Sequence, residues 1–455
     1  MPYKDLTENN LQLAAMAEEC VAGSAIDPEL YTRYGVKRGL RELNGDGVLT
    51  GLTNISDIRT KKLVNGQLIP CEGELYYRGI RIEDLVDGCI YDDRMGFEET
   101  CFLLLFGYLP NREKLSSFSN LLSDYRCLPD KFVRDVVMKA PPSDIMNGLT
   151  RSVLTLYSYD RYADDISIPN VLRQCLQLIS VIPLLSVYSY QAFNHYHNKA
   201  SLYIHMPDPA LSTAGNILAL LRPDCKFTAL EARVLDISLI LHAEHGGGNN
   251  STFTTHVVTS SGTDTYSAIS AALCSLKGPR HGGANIKVSA MFRDLRNKIS
   301  DLDDEDEIKA YLNDILEKRA FDKSGLIYGM GHAVYSLSDP RAKILMSFAE
   351  KIASEKGRSD EYRLLNTIDR LATSLIAEKK KIYKGVSANV DFYSGFVYDM
   401  LGIPPELYTP LFASARIAGW SAHRLEELIG GGKIIRPAYK SLSEPKEYVP
   451  VSKRI

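Results

Sequence analysis

The chain has 455 residues, 45% of them apolar and 24% charged, and its 53 Lys and Arg against 56 Asp and Glu leave a net charge of −3. That composition excludes intrinsic disorder, a collagen-like repeat and a global basic field for nucleic acid or an anionic membrane. The length suits roughly two to three ordinary domains. Eight scattered cysteines with no CxxC fit reduced, buried thiols better than a disulfide framework or a zinc site. The first residues, Met-Pro-Tyr-Lys-Asp-Leu-Thr-Glu, show neither an apolar leader nor an Arg-rich transit character, so a cytoplasmic protein is expected.

In chain order, strand-like alternation is sparse and sits mainly at 62–78. Residues 174–198 carry no formal charge and are long enough to cross a bilayer. Their Gln, Ser and Asn side chains and Pro183 point instead to a buried helix pair or a kinked core helix. Residues 228–245 open on Thr-Ala-Leu-Glu, a capping box, and run helically to the stop at Gly246-Gly247-Gly248. A second helix is predicted over 265–277, ended by Gly278-Pro279. The acidic run Asp301–Glu307 reads as a solvated helix start, and Lys379-Lys380-Lys381 as a helix end. Asp339 and Pro340 cap and begin a helix over 339–354, and a last one is predicted at about 392–401, stopped by Gly402 and Pro404. The composite is mostly α, and composition marks no domain boundary.

Four polar sites stand in glycine-rich or helix-terminal settings. His242 and His245, in Leu-His-Ala-Glu-His-Gly-Gly-Gly, are i,i+3 neighbours that with His281 could bind a metal. The H-E-x-x-H arrangement of metalloproteases is absent. His281, in Gly-Pro-Arg-His-Gly-Gly-Ala-Asn, lies where a helix begins, a position that favours a neutral ring able to donate to an oxyanion. His332, in Gly-Met-Gly-His-Ala-Val-Tyr, sits on permissive backbone suited to a closing site. Asp391, in Ala-Asn-Val-Asp-Phe-Tyr-Ser-Gly, is either a base or merely a helix cap. Arg341, Arg416 and Arg436 suit bidentate carboxylate binding, or are surface residues.

The joint, ordered occurrence of these motifs, followed by Ser-Ala-Arg-Ile-Ala-Gly-Trp and Ile-Ile-Arg-Pro, closely resembles the citrate synthase family over roughly residues 50–455. The resemblance implies an all-α, multihelical homodimer with a large domain and a small domain that closes over substrate. The large domain would comprise 51–283 and 391–455, the small one 284–390, and residues 1–50 would be an extension without a clear counterpart. Position by position, Asp391 would remove a methyl proton from acetyl-CoA, His281 would hold the thioester oxygen, and His332 would polarise the oxaloacetate ketone. His245, Arg341 and Arg416 match oxaloacetate ligands, and Arg436 would reach the site across the dimer interface. Coenzyme A would lie along the backbone of 329–335 and 385–390, with Gly329, Gly331, Ala333 and Val334 in contact. The resemblance implies no metal and no permanently bound cofactor, with acetyl-CoA as cosubstrate and neither nucleic acid nor membrane as partner.

Two positions depart from the pattern. Gly246 stands where many members carry an acidic residue, and Ala333 where many bacterial members carry Arg, so no phosphate contact is expected from the latter. The rival readings are a 2-methylcitrate synthase using propionyl-CoA, a non-catalytic acyl-CoA-binding paralogue and, at a distance, a metallohydrolase. One extra methylene separates the two acyl-CoA substrates by only about 1–3 kcal/mol.

Overall fold

Helical periodicity and its stop signals account for most of the computed structural model, which describes residues 11–42, 45–64, 66–331, 335, 337–380 and 386–454. Met1–Leu52 and Thr53–Ile455 form separate compact units. In the first, α1 (Leu11–Ser24) is followed by α2 (Pro28–Arg33), which begins on Pro28 with the Asp27 carboxylate accepting from the Glu29 amide.

The second unit opens with an antiparallel hairpin, β1 (Ser56–Val64) and β2 (Gln67–Tyr77), extended by the two-residue β3 (Ile80–Arg81). Ser56 pairs with Tyr77 and Val64 with Gln67, with one irregularity between Arg59 and Lys61. The hairpin therefore begins six residues before the alternation that signals it, because its first half is half-exposed and mixed in polarity. Gly73 explains its placement. A Cβ there would lie 2.2 Å from the Ser338 carbonyl oxygen and 2.5 Å from the Tyr335 ring, so β2 presses directly on that segment. Glu72, next to it, bonds both Ser338 and Lys343.

Helices follow almost without interruption: α3 (Ile82–Tyr91), α4 (Phe97–Phe106), α5 (Arg112–Asp124), α6 (Ile145–Leu156), α7 (Ile168–Asn198), α8 (Thr213–Leu221) and α9 (Ala229–His242). Then come α10 (Asn250–Thr259), α11 (Thr265–Lys277), α12 (Ala284–Lys298), α13 (Glu305–Leu316), α14 (Pro340–Glu355), α15 (Ser359–Lys380), α16 (Val390–Met400) and α17 (Tyr408–Ile429). The fold is all-α with one small sheet.

Local chemistry sets most of these boundaries. Thr228 and Glu231 form the expected capping box of α9. Asp339 caps α14 with Pro340 at its first position, and Asp304 caps α13 within the acidic run. The uncharged stretch resolves as one helix, α7, that carries Pro183 inside it and is buried for most of its middle. Length and composition would let it cross a membrane, yet 83% of its most apolar window is packed inside the protein. Its main partner is α17, where the Ser186 and Ser414 hydroxyls meet at 3.3 Å. The cap of α16 is Asn389, whose Oδ1 accepts from the Asp391 amide at 3.0 Å. Asp391 is thereby freed from the capping role its position allows. Lys379 and Lys380 end α15, while Lys381 lies outside the described residues.

The core centres on α17, which packs on α4, α7, α9, α10 and α11 and buries Trp420, Arg416 and Arg424 completely. It crosses the end of α9 at Gly419, where the Gly419 amide donates to the Ala243 carbonyl at 3.2 Å. A Cβ there would meet Glu244 Oε2 at 2.2 Å and the Ala243 oxygen at 2.6 Å. Gly419→Ala is therefore expected to destabilise the protein by about 1–3 kcal/mol in denaturant unfolding. Gly248→Ala, whose Cβ meets nothing within 4 Å, stays within about 0.5 kcal/mol of the parent.

Candidate active site

Five of the residues singled out in the sequence line one cavity of about 100 Å³: His245, His281, Arg341, Asp391 and Arg416. Its size is far below the ~300–1,000 Å³ of pockets for drug-sized ligands, so it suits a small substrate. Asn249, Gly282, Asn285, Val390, Tyr408 and Phe412 complete the lining. The two asparagines end the motifs Gly-Gly-Gly-Asn and Gly-Gly-Ala-Asn. Tyr408 and Phe412 precede Arg416 by eight and four residues on α17, the spacing of one helix face, a signal that was readable.

Two cations dominate the cavity. Arg341, at the start of α14, is buried and held bidentately by its own cap: Nε donates to Asp339 Oδ1 at 3.0 Å and Nη2 to Oδ2 at 2.8 Å. Burial disfavours its charge, but Asp339 outweighs that and pushes its pKa up. Arg416 is fully buried and bonded only through Nε, to the His242 carbonyl at 2.7 Å. Among the described residues neither Nη atom has a hydrogen-bond partner. Its guanidinium carbon stands 4.7 Å from the centre of the Phe412 ring, and burial pushes its pKa down to about 10 against the pull of Glu244. A small buried cavity with one paired guanidinium and one whose two Nη groups have no hydrogen-bond partner among the described residues calls for an anion. His245 sits edge-on to Tyr335, with ring centres 5.5 Å apart.

His281 precedes α12 and meets the first turn of α10. The Ser251 amide approaches its Nε2 at 3.4 Å and the Ser251 hydroxyl lies 3.0 Å from the same nitrogen, itself receiving the Trp420 indole N–H at 3.2 Å. An amide donating to Nε2 leaves the ring proton on Nδ1. Burial, with the nearby Arg416 charge, lowers the imidazole to about pKa 4, so the ring is neutral near pH 7. Asp391, the second residue of α16, is pushed up to about 6 by burial, with Arg341 pulling the other way. A neutral imidazole and a carboxyl poised near neutrality share one cavity, which is what proton abstraction next to a developing oxyanion requires.

Gly329 and Gly331 lie beside this pair. The Gly331 amide donates to the Ser387 carbonyl at 2.8 Å, the Asn389 amide to the Gly329 carbonyl at 2.9 Å, and Met330 and Ala388 form a bridge. The two segments expected to run along coenzyme A thus pair with one another. Gly329, at φ +80°, has no room for a side chain between Val288 and Phe392. His332, Ala333 and Val334 lie outside the described residues. Arg436 is exposed in the segment after α17 and does not line the cavity of its own chain. His242 packs against Phe412, with ring centres 4.5 Å apart, and burial pushes its pKa well down. Among the described residues no three His, Cys, Asp or Glu side chains are grouped to hold a metal ion.

Fold and cavity together define an all-α protein in which two buried guanidinium groups stand beside a neutral imidazole and a raised carboxyl. The chain belongs to the citrate synthase family: the model described as "Citrate synthase, C-terminal domain" matches residues 42–438. It is accordingly a transferase of the citrate synthase type. It is 34% identical over 425 residues to the citrate synthase of Haloferax volcanii, covering 92% of this chain and 99% of that one. It is 31% identical over 386 residues to the 2-methylcitrate synthase of Shewanella oneidensis, covering 84% and 92%. Among solved structures, a ternary complex of carboxymethyl coenzyme A and oxaloacetate with the Thermoplasma acidophilum citrate synthase aligns with a TM-score of 0.74 at 26% identity, covering 92% of this chain and 99% of that one.

The raised Asp391 carboxyl carries a stability consequence. Its pKa is higher folded than unfolded, so its ionisation opposes folding, not at all below about pH 4 and fully above about pH 6. Asp391→Asn is expected to stabilise the protein by about 1–2 kcal/mol at pH 8 and by nothing measurable at pH 4, read by denaturant unfolding at both pH values.

Proposed function

We propose that the chain condenses acetyl-CoA with oxaloacetate and hydrolyses the resulting citryl-CoA to citrate and coenzyme A. The observation that carries this reading is the meeting, in one small buried cavity, of a neutral His281, a raised Asp391 and the two buried arginines. Oxaloacetate places its carboxylates on Arg341, Arg416 and His245, with Arg436 supplied by the second chain of a homodimer. Asp391 takes a proton from the acetyl methyl group. His281 donates from Nδ1 to the thioester oxygen as the enolate forms, at no cost in charge because the ring starts neutral. His332 donates to the ketone oxygen as the enolate carbon attacks it, and water then cleaves the thioester.

Coenzyme A is a cosubstrate here and no cofactor stays bound. The paired segments 329–331 and 387–389 are its backbone platform, together with Ala333 and Val334. Residues 284–390 act as a small domain closing on a large one formed by 51–283 and 391–455, with the platform at the junction. The enzyme works in the cytoplasm.

Thiol release with oxaloacetate and either acetyl-CoA or propionyl-CoA tests the reading. Release with acetyl-CoA is expected, falling about 10²–10⁴-fold in Asp391→Ala. Release with propionyl-CoA alone would make the chain a 2-methylcitrate synthase, and release with neither would refute both. Because Asp391 must be ionised, kcat/KM is expected to fall as pH drops through about 6. Mixing Asp391→Ala and Arg436→Ala chains should restore about a quarter of wild-type activity, since half the dimers are hybrids and each hybrid holds one intact site. No recovery would place Arg436 outside the partner's site.

A further inference from the structure

Behind the anion-binding wall runs a buried chain of four titratable groups that the condensation does not use. Glu244, fully buried between His245 and Ala243, accepts through Oε1 from Ser56 Oγ at 2.9 Å and from the Gly246 amide. The same oxygen lies 3.1 Å from His423 Nε2 on α17. His423 Nδ1 in turn faces His256 Nε2 on α10 at 3.1 Å, and His256 Nδ1 faces Glu427 Oε2 at 2.8 Å. Glu427 lies at the outer end, with 18% of its side chain exposed. The other charged groups facing the pair are Glu426, whose Oε2 is 3.9 Å from His423 Nδ1, and Arg416, which acts on Glu244. Arg78 acts on Glu426 from the end of the hairpin.

Counting protons along this chain gives an odd number. Ionised carboxylates only accept, so both end contacts require an N–H on the imidazole side, and the contact between the rings requires one more. Three hydrogen bonds therefore need three N–H groups, whereas two neutral imidazoles supply two. We propose that His423 and His256 hold one extra proton between them, and that this shared imidazolium makes Glu244 a positioning residue that leaves the charge of Arg416 to the substrate. The proton belongs on the rings because an imidazole is more basic than a carboxylate. It can sit on either ring with all three bonds intact. Burial first, and then the charge of His423, holds the His256 pKa below the ordinary imidazole value against the pull of Glu427, so the extra proton belongs mainly on His423. For Glu244, burial favours the neutral acid, but His423 first, then Arg416 and Ser56, hold it ionised at about pKa 2.

The functional part of the proposal rests on the reading of the cavity as a dicarboxylate site. With the imidazolium present, Glu244 is neutralised from behind and Arg416 faces the dianion with its charge unspent. Loss of the proton at higher pH leaves Glu244 facing Arg416 alone and repelling the substrate, so KM for oxaloacetate rises while kcat holds.

Glu427→Gln separates this from a merely structural network. A carboxamide donating to His256 Nδ1 satisfies all three contacts with both rings neutral, so the shape is kept and the proton requirement is removed. Ring ¹⁵N spectra of histidine-labelled protein at pH 7 should show three protonated nitrogens on this pair in the wild type and two in Glu427→Gln. In the condensation assay, wild-type KM for oxaloacetate should climb about three- to tenfold as the pair deprotonates. Glu427→Gln should show the raised KM already at pH 7, with a flat profile and unchanged kcat. Two neutral rings in the wild type, or identical KM–pH profiles in the two proteins, would overturn the proposal. If the wild type condenses neither acyl-CoA, the reading of the cavity falls, and the nitrogen count alone then supports or overturns the extra proton.

Discussion

Two guanidinium groups buried in one small cavity are the constraint around which this structure is arranged. Each would be strongly destabilising if left without compensation in a dry interior. The two are handled differently. Arg341 is paired in full by Asp339, through two short hydrogen bonds. Arg416 has one backbone carbonyl, the face of Phe412 and the more distant Glu244. The difference matters to any anion entering the cavity, because a guanidinium already neutralised in place offers it less than one that is not. It also dictates neighbours. Glu244 stays ionised while fully buried, with Ser56, Gly246 and His423 around it, and its oxygen occupies the space that any side chain at position 419 would need.

Asp339 shows how few groups hold the cavity together. Its carboxylate caps α14 through the Arg341 amide, pairs the Arg341 guanidinium and accepts the Val390 amide at 3.2 Å. One side chain thus fixes the start of α14, the orientation of a cavity-lining cation and the start of α16, which carries Asp391. The pairing of 329–331 with 387–389 adds a second tie a few residues away. Asp391 is thereby positioned by backbone hydrogen bonds, and its carboxyl keeps a raised pKa.

Much of this was legible in the sequence wherever local chemistry decides. The capping box at Thr228, the Asp339-Pro340 start and the Gly278 stop are each set by two or three adjacent residues, and the helices begin and end there. His245, His281, Arg341, Asp391 and Arg416 meet in one cavity, in keeping with the ordered motifs that carry the family resemblance. The hairpin's true start was hidden because half-exposed strands mix polar and apolar residues. Asn389 rather than Asp391 caps α16, a choice that depends on the amide of Asn389 being tied to Gly329, sixty residues earlier. The relay behind the cavity was invisible for the same reason: Glu244, His256, His423 and Glu427 share no motif, and only the crossing of α17 over α9 and α10 brings them together.

That crossing also bears on how the protein is made. The helix that carries Tyr408, Phe412 and Arg416 into the cavity, buries Trp420, Arg416 and Arg424, and packs on α7 follows every other α-helix among the described residues. Until residues 408–429 have left the ribosome, the faces of α7 and α9 that pack on α17 lack that partner, although α4, α5, α6 and α8 already lie against these helices. Maturation is therefore a late event that depends on contacts between residues well over a hundred positions apart, and such closures are slow because the loop must be ordered before the contact rewards it.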